Sequence, residues 1–385
     1  MLKKLIIAAS LALASQAYAD ITIGQSVPTT GIAAETGKAM AMGASIYFNQ
    51  VNGRGGVNGE LINHLVRDDG GNPQTTVKNA RDFIEKENAT ALISFYGTDN
   101  IAALLKSKVL DTNGIALVGA HTGADSLRNN GSPYLFHTRA SYTVEVDRLV
   151  KLLNENLGVT KFGVVAQQGG YGEAGVAALK AALAKKQLKL AGEAWYDNQT
   201  GDSTKAAKEL AKINPEAIIL VATTKPAATF VQEYKNRGGT SQLYALSAVQ
   251  FEEVAKQIGK KTAHGLGISQ VLPYPYNTRA RLVQEFQNDV YAELGSGSSG
   301  KNEALAAIAK YPSYAMLEGY VAARLIVEGI KRAGKAPTRA AVYNALGTLS
   351  RYDLGGFVID YSPSKRNGSN FSELTMMSPT GALTR

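Results

Sequence analysis

The sequence predicts an α/β protein of two lobes, each built on a mainly parallel sheet, joined by a hinge. Three observations carry this. Short apolar runs alternate with amphipathic runs along the chain, the pattern of a parallel sheet covered by helices on both faces. The alternation runs to about residue 118 and then restarts. The chain has 385 residues, more than the roughly 250–300 that one such core normally holds.

The first series opens with a strand at Ile21–Gly24. A helix follows at Gly37–Val51, where Met40, Ala44, Tyr47, Phe48 and Val51 recur at helical spacing. Then come strand Leu61–Val66, helix Gln74–Lys86, strand Ala91–Ser94, helix Asn100–Val109 and strand Ile115–Val118. The second series has helix Val144–Leu157, strand Phe162–Ala166, helix Ala174–Lys186 and strand Glu193–Tyr196. Helix Thr204–Lys212, strand Ala217–Val221, helix Ala227–Arg237 and strands Leu243–Leu246 and Gly267–Val271 complete it. The chain is expected to cross between lobes at Phe136–Ser141 and at Val271–Asn277, where Pro273 and Pro275 favour extended backbone. Two long helices follow, Thr278–Leu294 and Tyr314–Ala333. The expected first lobe is 20–138 plus about 275–350, and the second is 139–274 plus about 351–385.

The N-terminus sets the compartment. Lys3 and Lys4 precede an apolar run from Leu5 to Ala14, and Ala17-Tyr18-Ala19 is an A-x-A cleavage site before Asp20. That is a signal peptide over residues 1–19. No cysteine is present, so disulfides are excluded and no thiol after the cleavage site can carry a lipid. A periplasmic, unanchored, monomeric protein is expected. The net charge is +9, but the basic residues are scattered, with Lys185-Lys186 and Lys260-Lys261 the densest spots. That is an ordinary basic surface, and no nucleic-acid partner is expected.

GSGSSGKN, from Gly295 to Asn302, satisfies G-x-G-x-x-G and most of the phosphate-loop pattern. Both patterns need a strand before and a helix after. Here the stretch lies between two expected helices, and Asn302 replaces the hydroxyl that would hold magnesium. A flexible connector is expected. His64, His121, His137 and His264 show no metal-ligand spacing, and no G-x-S-x-G is present. Asp68-Asp69 is followed by Gly70-Gly71-Asn72-Pro73, which reads as a turn and not as a metal site. No catalysis and no cofactor are expected.

The order of the pieces resembles the substrate-binding proteins of ABC importers, in the branch that binds leucine, isoleucine and valine. Ile21–Gly24 with Thr29-Thr30-Gly31 resembles that family's first strand and loop. "AMGASIYFNQVNGRGGVNGELINHLVRDDGGNP" resembles its first helix, glycine turn, second strand and acidic turn. "ALISFYGTDNIAAL" resembles the third strand and the helix that starts at the ligand, and "GAHTGADSLR" the next exit loop. "YGEAGVAALKAAL" from Tyr171 and "YAMLEGYVAARLIVEGIKRAG" from Tyr314 resemble the second lobe's first helix and a late helix. The resemblance implies the type I periplasmic binding protein fold, two Rossmann-like lobes that close on a ligand. It implies delivery to an inner-membrane ABC permease with its ATPase subunit.

Ligands of open α/β sheets lie beyond the carboxyl ends of the strands. Candidate ligand-binding residues there are Thr98, Asn100, His121 and Thr122 from the first lobe. Thr98 and Asn100 also suit helix capping, which is compatible with holding a carboxylate. By the resemblance, that helix start and the Thr122 loop grip the carboxylate. The second lobe offers Tyr171, Thr224 and Ser247. Amino-acid binders of the family place an acidic residue near Ser247 to pair with the ligand's ammonium. "LYALSAVQF" has none, and "VATTKP" brings Lys225 close. A small carboxylate or an amino-acid-like ligand is expected, with an exported sensor or enzyme on the same lobes as the alternative.

Overall fold

The structure, a computed structural model, describes residues 20–129, 131–295, 312–380 and 383–384. Strands β1 (Ile21–Val27), β2 (Ile62–Asp68), β3 (Ala91–Ile93), β4 (Leu117–Val118) and β5 (Leu135–Phe136) form one sheet. Its order is β2-β1-β3-β4-β5 and every pairing is parallel. Strands β6 (Phe162–Gln167), β7 (Leu190–Tyr196), β8 (Ala217–Val221), β9 (Gln242–Ala245) and β10 (Gly267–Gln270) form the parallel part of a second sheet. A short antiparallel pair follows, β11 (Tyr352–Asp353) and β12 (Val358–Ile359). Strands β13 (Glu373–Met377) and β14 (Leu383–Thr384) then add antiparallel edges, giving the order β14-β13-β10-β9-β8-β6-β7.

The apolar runs become central strands for a simple reason. Ala217–Val221 of β8 is buried at every residue because helices cover both faces. Edge strand β2 alternates instead, with Ile62 buried and Asn63 exposed. The helices begin where the sequence supplies caps. Asn72 accepts the Thr75 N–H at 3.0 Å ahead of Pro73, and Ser313 accepts that of Met316 at 3.2 Å. Helix Tyr314–Ala333 packs on helix Ala34–Asn52 so closely that Gly43 and Gly319 meet the opposite backbone.

Two expected helices differ from the structure. Asn100–Val109 begins earlier and ends at Lys106; Lys108 turns left-handed at φ 57 and a separate turn, Val109–Asn113, follows. Val144–Leu157 is α-helical at Tyr142–Lys151 and widens into a π-helical turn at Leu152–Asn156. The chain leaves the first sheet after β5 and the second after β10. Tyr361 packs on Phe136, and Leu282 bonds Gly355, so the second sheet is regained only at β13. Gly295 ends the helix Arg281–Gly295; the rest of GSGSSGKN, like residues 1–19, lies outside the described residues. Among the described residues no helix is long and apolar enough to cross a membrane.

His64 ties β2 to its neighbours. Its Nδ1 is 3.0 Å from Ser45 Oγ, and its Nε2 is 2.9 Å from Gln25 Oε1. The neutral ring satisfies both, and burial pulls its pKa down to about 4. The unfolded chain therefore binds a proton that the folded chain refuses, so stability falls as pH drops from about 6.5 towards 4. This site is expected to contribute about 2–3 kcal/mol of that loss. The difference between the parent and His64→Gln in urea unfolding at pH 7.5 and 4.5 measures it; equal losses in both would remove His64 as a cause.

Candidate functional site

The strand ends of the two sheets face one another across a cleft of about 530 Å³. The first lobe lines it with the loops after β1 and β2, with the stretch Tyr96–Asn100 after β3, and with His121 after β4. The second lobe contributes Gln167 at the end of β6, Tyr171, the Asn198-Gln199 loop after β7, Thr223 after β8 and Ala248 after β9. Tyr142, at the start of the helix after the first crossing, closes the floor.

The acidic turn shapes the first rim. Asp68 accepts the Thr29 N–H at 2.7 Å and the Thr30 hydroxyl at 2.6 Å. Although burial opposes it, the bonds from Thr30, Gly70 and Thr29 hold its pKa down at about 2. Asp69 accepts from Ser26 at 2.8 Å, Thr76 at 2.9 Å and the Gly71 N–H at 2.9 Å. Both carboxylates are thus engaged in holding the two loops together. Among the described residues no cluster could hold a metal ion.

Aromatic rings make the deep wall. Tyr96 and His121 stack with centroids 4.9 Å apart and an interplanar angle of 11°. Tyr142 and Tyr171 lie 5.2 Å apart, and the Tyr171 hydroxyl donates to Ala222 O at 3.3 Å. Burial raises the pKa of Tyr171, so it stays a neutral phenol. The lobes also touch directly. The Gly170 N–H, at the start of helix Gly170–Ala184, donates to Asp99 Oδ1 at 2.9 Å. A carboxylate at a helix N-terminus is favourably placed.

Behind the wall lies a sealed polar cluster. Arg139, in the first crossing, is 1 % exposed. Its Nη1 is 2.9 Å from His121 Nδ1 and 3.5 Å from Glu318 Oε1, and its Nη2 donates to Ser247 Oγ. Glu145 Oε1 lies 4.0 Å from the same guanidinium and accepts Ser247 Oγ–H at 2.8 Å, while its Oε2 accepts the Ser247 N–H at 2.9 Å. Burial pushes the Glu145 pKa up despite Arg139, whereas Arg139 and His121 overcome burial at Glu318 and hold it down.

Four of the seven candidate residues therefore line the cleft: Thr98, Asn100, His121 and Tyr171. Asn100 spends its amide on Thr76 Oγ1 at 2.7 Å. The other three stand one layer back. Thr122 is fully buried, with Oγ1 2.8 Å from Thr98 Oγ1. Ser247 serves Glu145 and Arg139, and its neighbour Ala248 takes the wall. Thr224 accepts the Gln250 N–H at 3.0 Å, and Thr223 faces the cleft instead. Lys225 does not line the cleft, so its side chain is no obstacle to an ammonium there. Sequence reasoning missed Asp99, Tyr142, Gln167 and Thr223. Strand exits offered a signal, but which of two adjacent residues turns inward depends on backbone geometry after the strand.

A family model described as periplasmic binding protein matches residues 20–378. The chain belongs to that family. A Leu/Ile/Val-binding protein homolog from Brucella melitensis is 27 % identical over 348 residues, covering 90 % of this chain and 88 % of the relative. The structure of a substrate-binding periplasmic protein from Ralstonia solanacearum is 35 % identical, with a TM-score of 0.87, covering 94 % and 99 %. LivJ from Streptococcus pneumoniae, solved with isoleucine, shares the fold at a TM-score of 0.79 and 15 % identity, covering 95 % and 98 %. Family membership makes this chain a solute-binding component of transport and not an enzyme.

Proposed function

We propose that this periplasmic binding protein captures a small carboxylate or amino-acid-like ligand and delivers it to an ABC permease with its ATPase subunit. The observation that carries the reading is the cleft itself, lined from strand ends of both sheets. Its walls offer hydroxyls, amides and aromatic rings, which suit a small ligand with one polar head and an apolar body. One lobe is built on β1–β5 and the other on β6–β10 with β13 and β14. Ligand in the cleft stabilises the closed arrangement by touching both lobes at once.

Calorimetry with L-leucine, L-isoleucine, L-valine and their deaminated acids tests the reading. At least one is expected to bind in a one-to-one ratio, and X-ray scattering is expected to show compaction on binding. Asp99→Ala removes the bond to Gly170 and is expected to weaken the same compound about tenfold by favouring the open form. Failure of every compound to bind or to raise the melting temperature would sink the ligand class.

A further inference from the structure

Two helix starts are completed from the opposite lobe. The first N–H groups of a helix have no partner inside it. In helix Gly170–Ala184 of the second lobe, the Gly170 N–H donates to Asp99 Oδ1 of the first lobe at 2.9 Å. In helix Tyr314–Ala333 of the first lobe, the Ala315 N–H donates to Gln250 Oε1 at 3.3 Å. Gln250 follows β9 and is pinned to the second lobe, because its own N–H donates to Thr224 Oγ1 at 3.0 Å. Each lobe thus caps a helix of the other.

Arg139, in the first crossing, adds a third link. Its Nη1 lies 3.5 Å from Glu318 Oε1 in the first lobe, and its Nη2 donates to Ser247 Oγ in the second. Asp99 lines the cleft, whereas Arg139, Ser247 and Gln250 are buried and lie outside its lining. Swinging the lobes apart strains all three links. At the mouth, water replaces a lost partner as soon as the cleft opens. Around Arg139 and Gln250, separation must also admit water to groups that are sealed. Each bond there therefore favours the touching arrangement by a factor of about 2–10, and none of that gain needs a ligand.

We propose that Gln250 and Ser247 are positioning residues of a latch behind the cleft, and that this latch holds a measurable share of the ligand-free protein closed. The latch touches no ligand. It favours binding by lowering the ordering that a ligand must impose. It rests on the lobe closure of the proposed transport function, but the experiment needs no ligand, so its failure is distinct from failure of the ligand class. The chain has no cysteine. Lys78→Cys on helix Pro73–Glu85 and Lys205→Cys on helix Thr204–Ile213 therefore take one spin label each, and both side chains are well exposed. Pulsed electron–electron distance measurement on the mature ligand-free protein is expected to include a population at the separation of the touching lobes. Ser247→Ala shifts the short-to-long ratio toward the long distance, roughly 2- to 10-fold. Gln250→Met, which keeps the side chain's length and removes its amide oxygen, is expected to do the same. Gln250→Glu keeps an acceptor at the helix start and is expected to keep the short population. Absence of the short distance in the parent would overturn ligand-free closure. An unchanged ratio in both Ser247→Ala and Gln250→Met would overturn the latch. A shift in Gln250→Glu as large as in Gln250→Met would overturn capping as its cause.

Discussion

Arg139→Met is expected to lower the unfolding free energy by about 3–5 kcal/mol, the usual result of removing one partner from a buried charge cluster. The guanidinium is sealed between Glu318 at 3.5 Å and Glu145 at 4.0 Å, and it also donates to His121 and Ser247. Without it two carboxylates stay buried with no cation beside them, and each must either pay desolvation or take up a proton. The sign of the pH dependence follows. In the variant both carboxyls titrate above their unfolded values. Stability is then retained below the unfolded pKa and lost as pH rises through the folded one. The deficit against the parent is expected to be larger at pH 8 than at pH 5, measured by urea unfolding. Adding Glu145→Gln and Glu318→Gln to the same chain is expected to recover much of the loss. A variant as stable as the parent at pH 8 would show that the cluster is not charged as the geometry implies.

That cluster marks the boundary of what the sequence made legible. The lobes, the parallel sheets and most helices follow from local patterning, because apolar runs such as Ala217–Val221 can only be central strands. The cleft followed from a general rule about strand ends, which placed Thr98, Asn100, His121 and Tyr171 on its walls. At two positions the cleft is lined by the neighbour of the expected residue, Thr223 beside Thr224 and Ala248 beside Ser247. A strand fixes side-chain direction by its two-residue period, and that period stops where the loop begins. The cluster itself was illegible. Glu318 is far along the chain from Arg139 and Glu145, all three are ordinary in local context, and only the fold brings them together. The same fold explains Ser247. Its carboxylate partner is Glu145 beneath it, so the position that could have held an acid for the ligand instead serves the crossing between lobes.

Gly43→Leu is expected to cost about 3 kcal/mol or more, because it overpacks a contact with no slack. A Cβ at Gly43 would stand 1.8 Å from Met316 O, and one at Gly319 would stand 2.0 Å from Met40 O. Two helices thus meet backbone to backbone, with a glycine on each side. Within a helix, Gly costs about 1 kcal/mol relative to Ala. If space existed, Gly43→Ala would therefore stabilise the protein. The clash is with a carbonyl oxygen of the neighbouring helix, which cannot rotate away, so even Ala is expected to be destabilising. Gly329→Ala provides the contrast on the same helix, Tyr314–Ala333. Its Cβ would approach only the Leu346 side chain, at 2.9 Å. That side chain can shift, and the change is expected to stay within about 1 kcal/mol of the parent. The effect of Gly43→Leu should also reach the cleft. Glu318 sits beside Gly319, and pushing that helix outward draws its carboxylate from Arg139 and His121. Thermal unfolding and nitrogen-15 spectra of His121 would both move in Gly43→Leu and neither would in Gly329→Ala. A Gly43→Leu protein with the parent's melting temperature would mean that the helices do not pack as closely as their glycines imply.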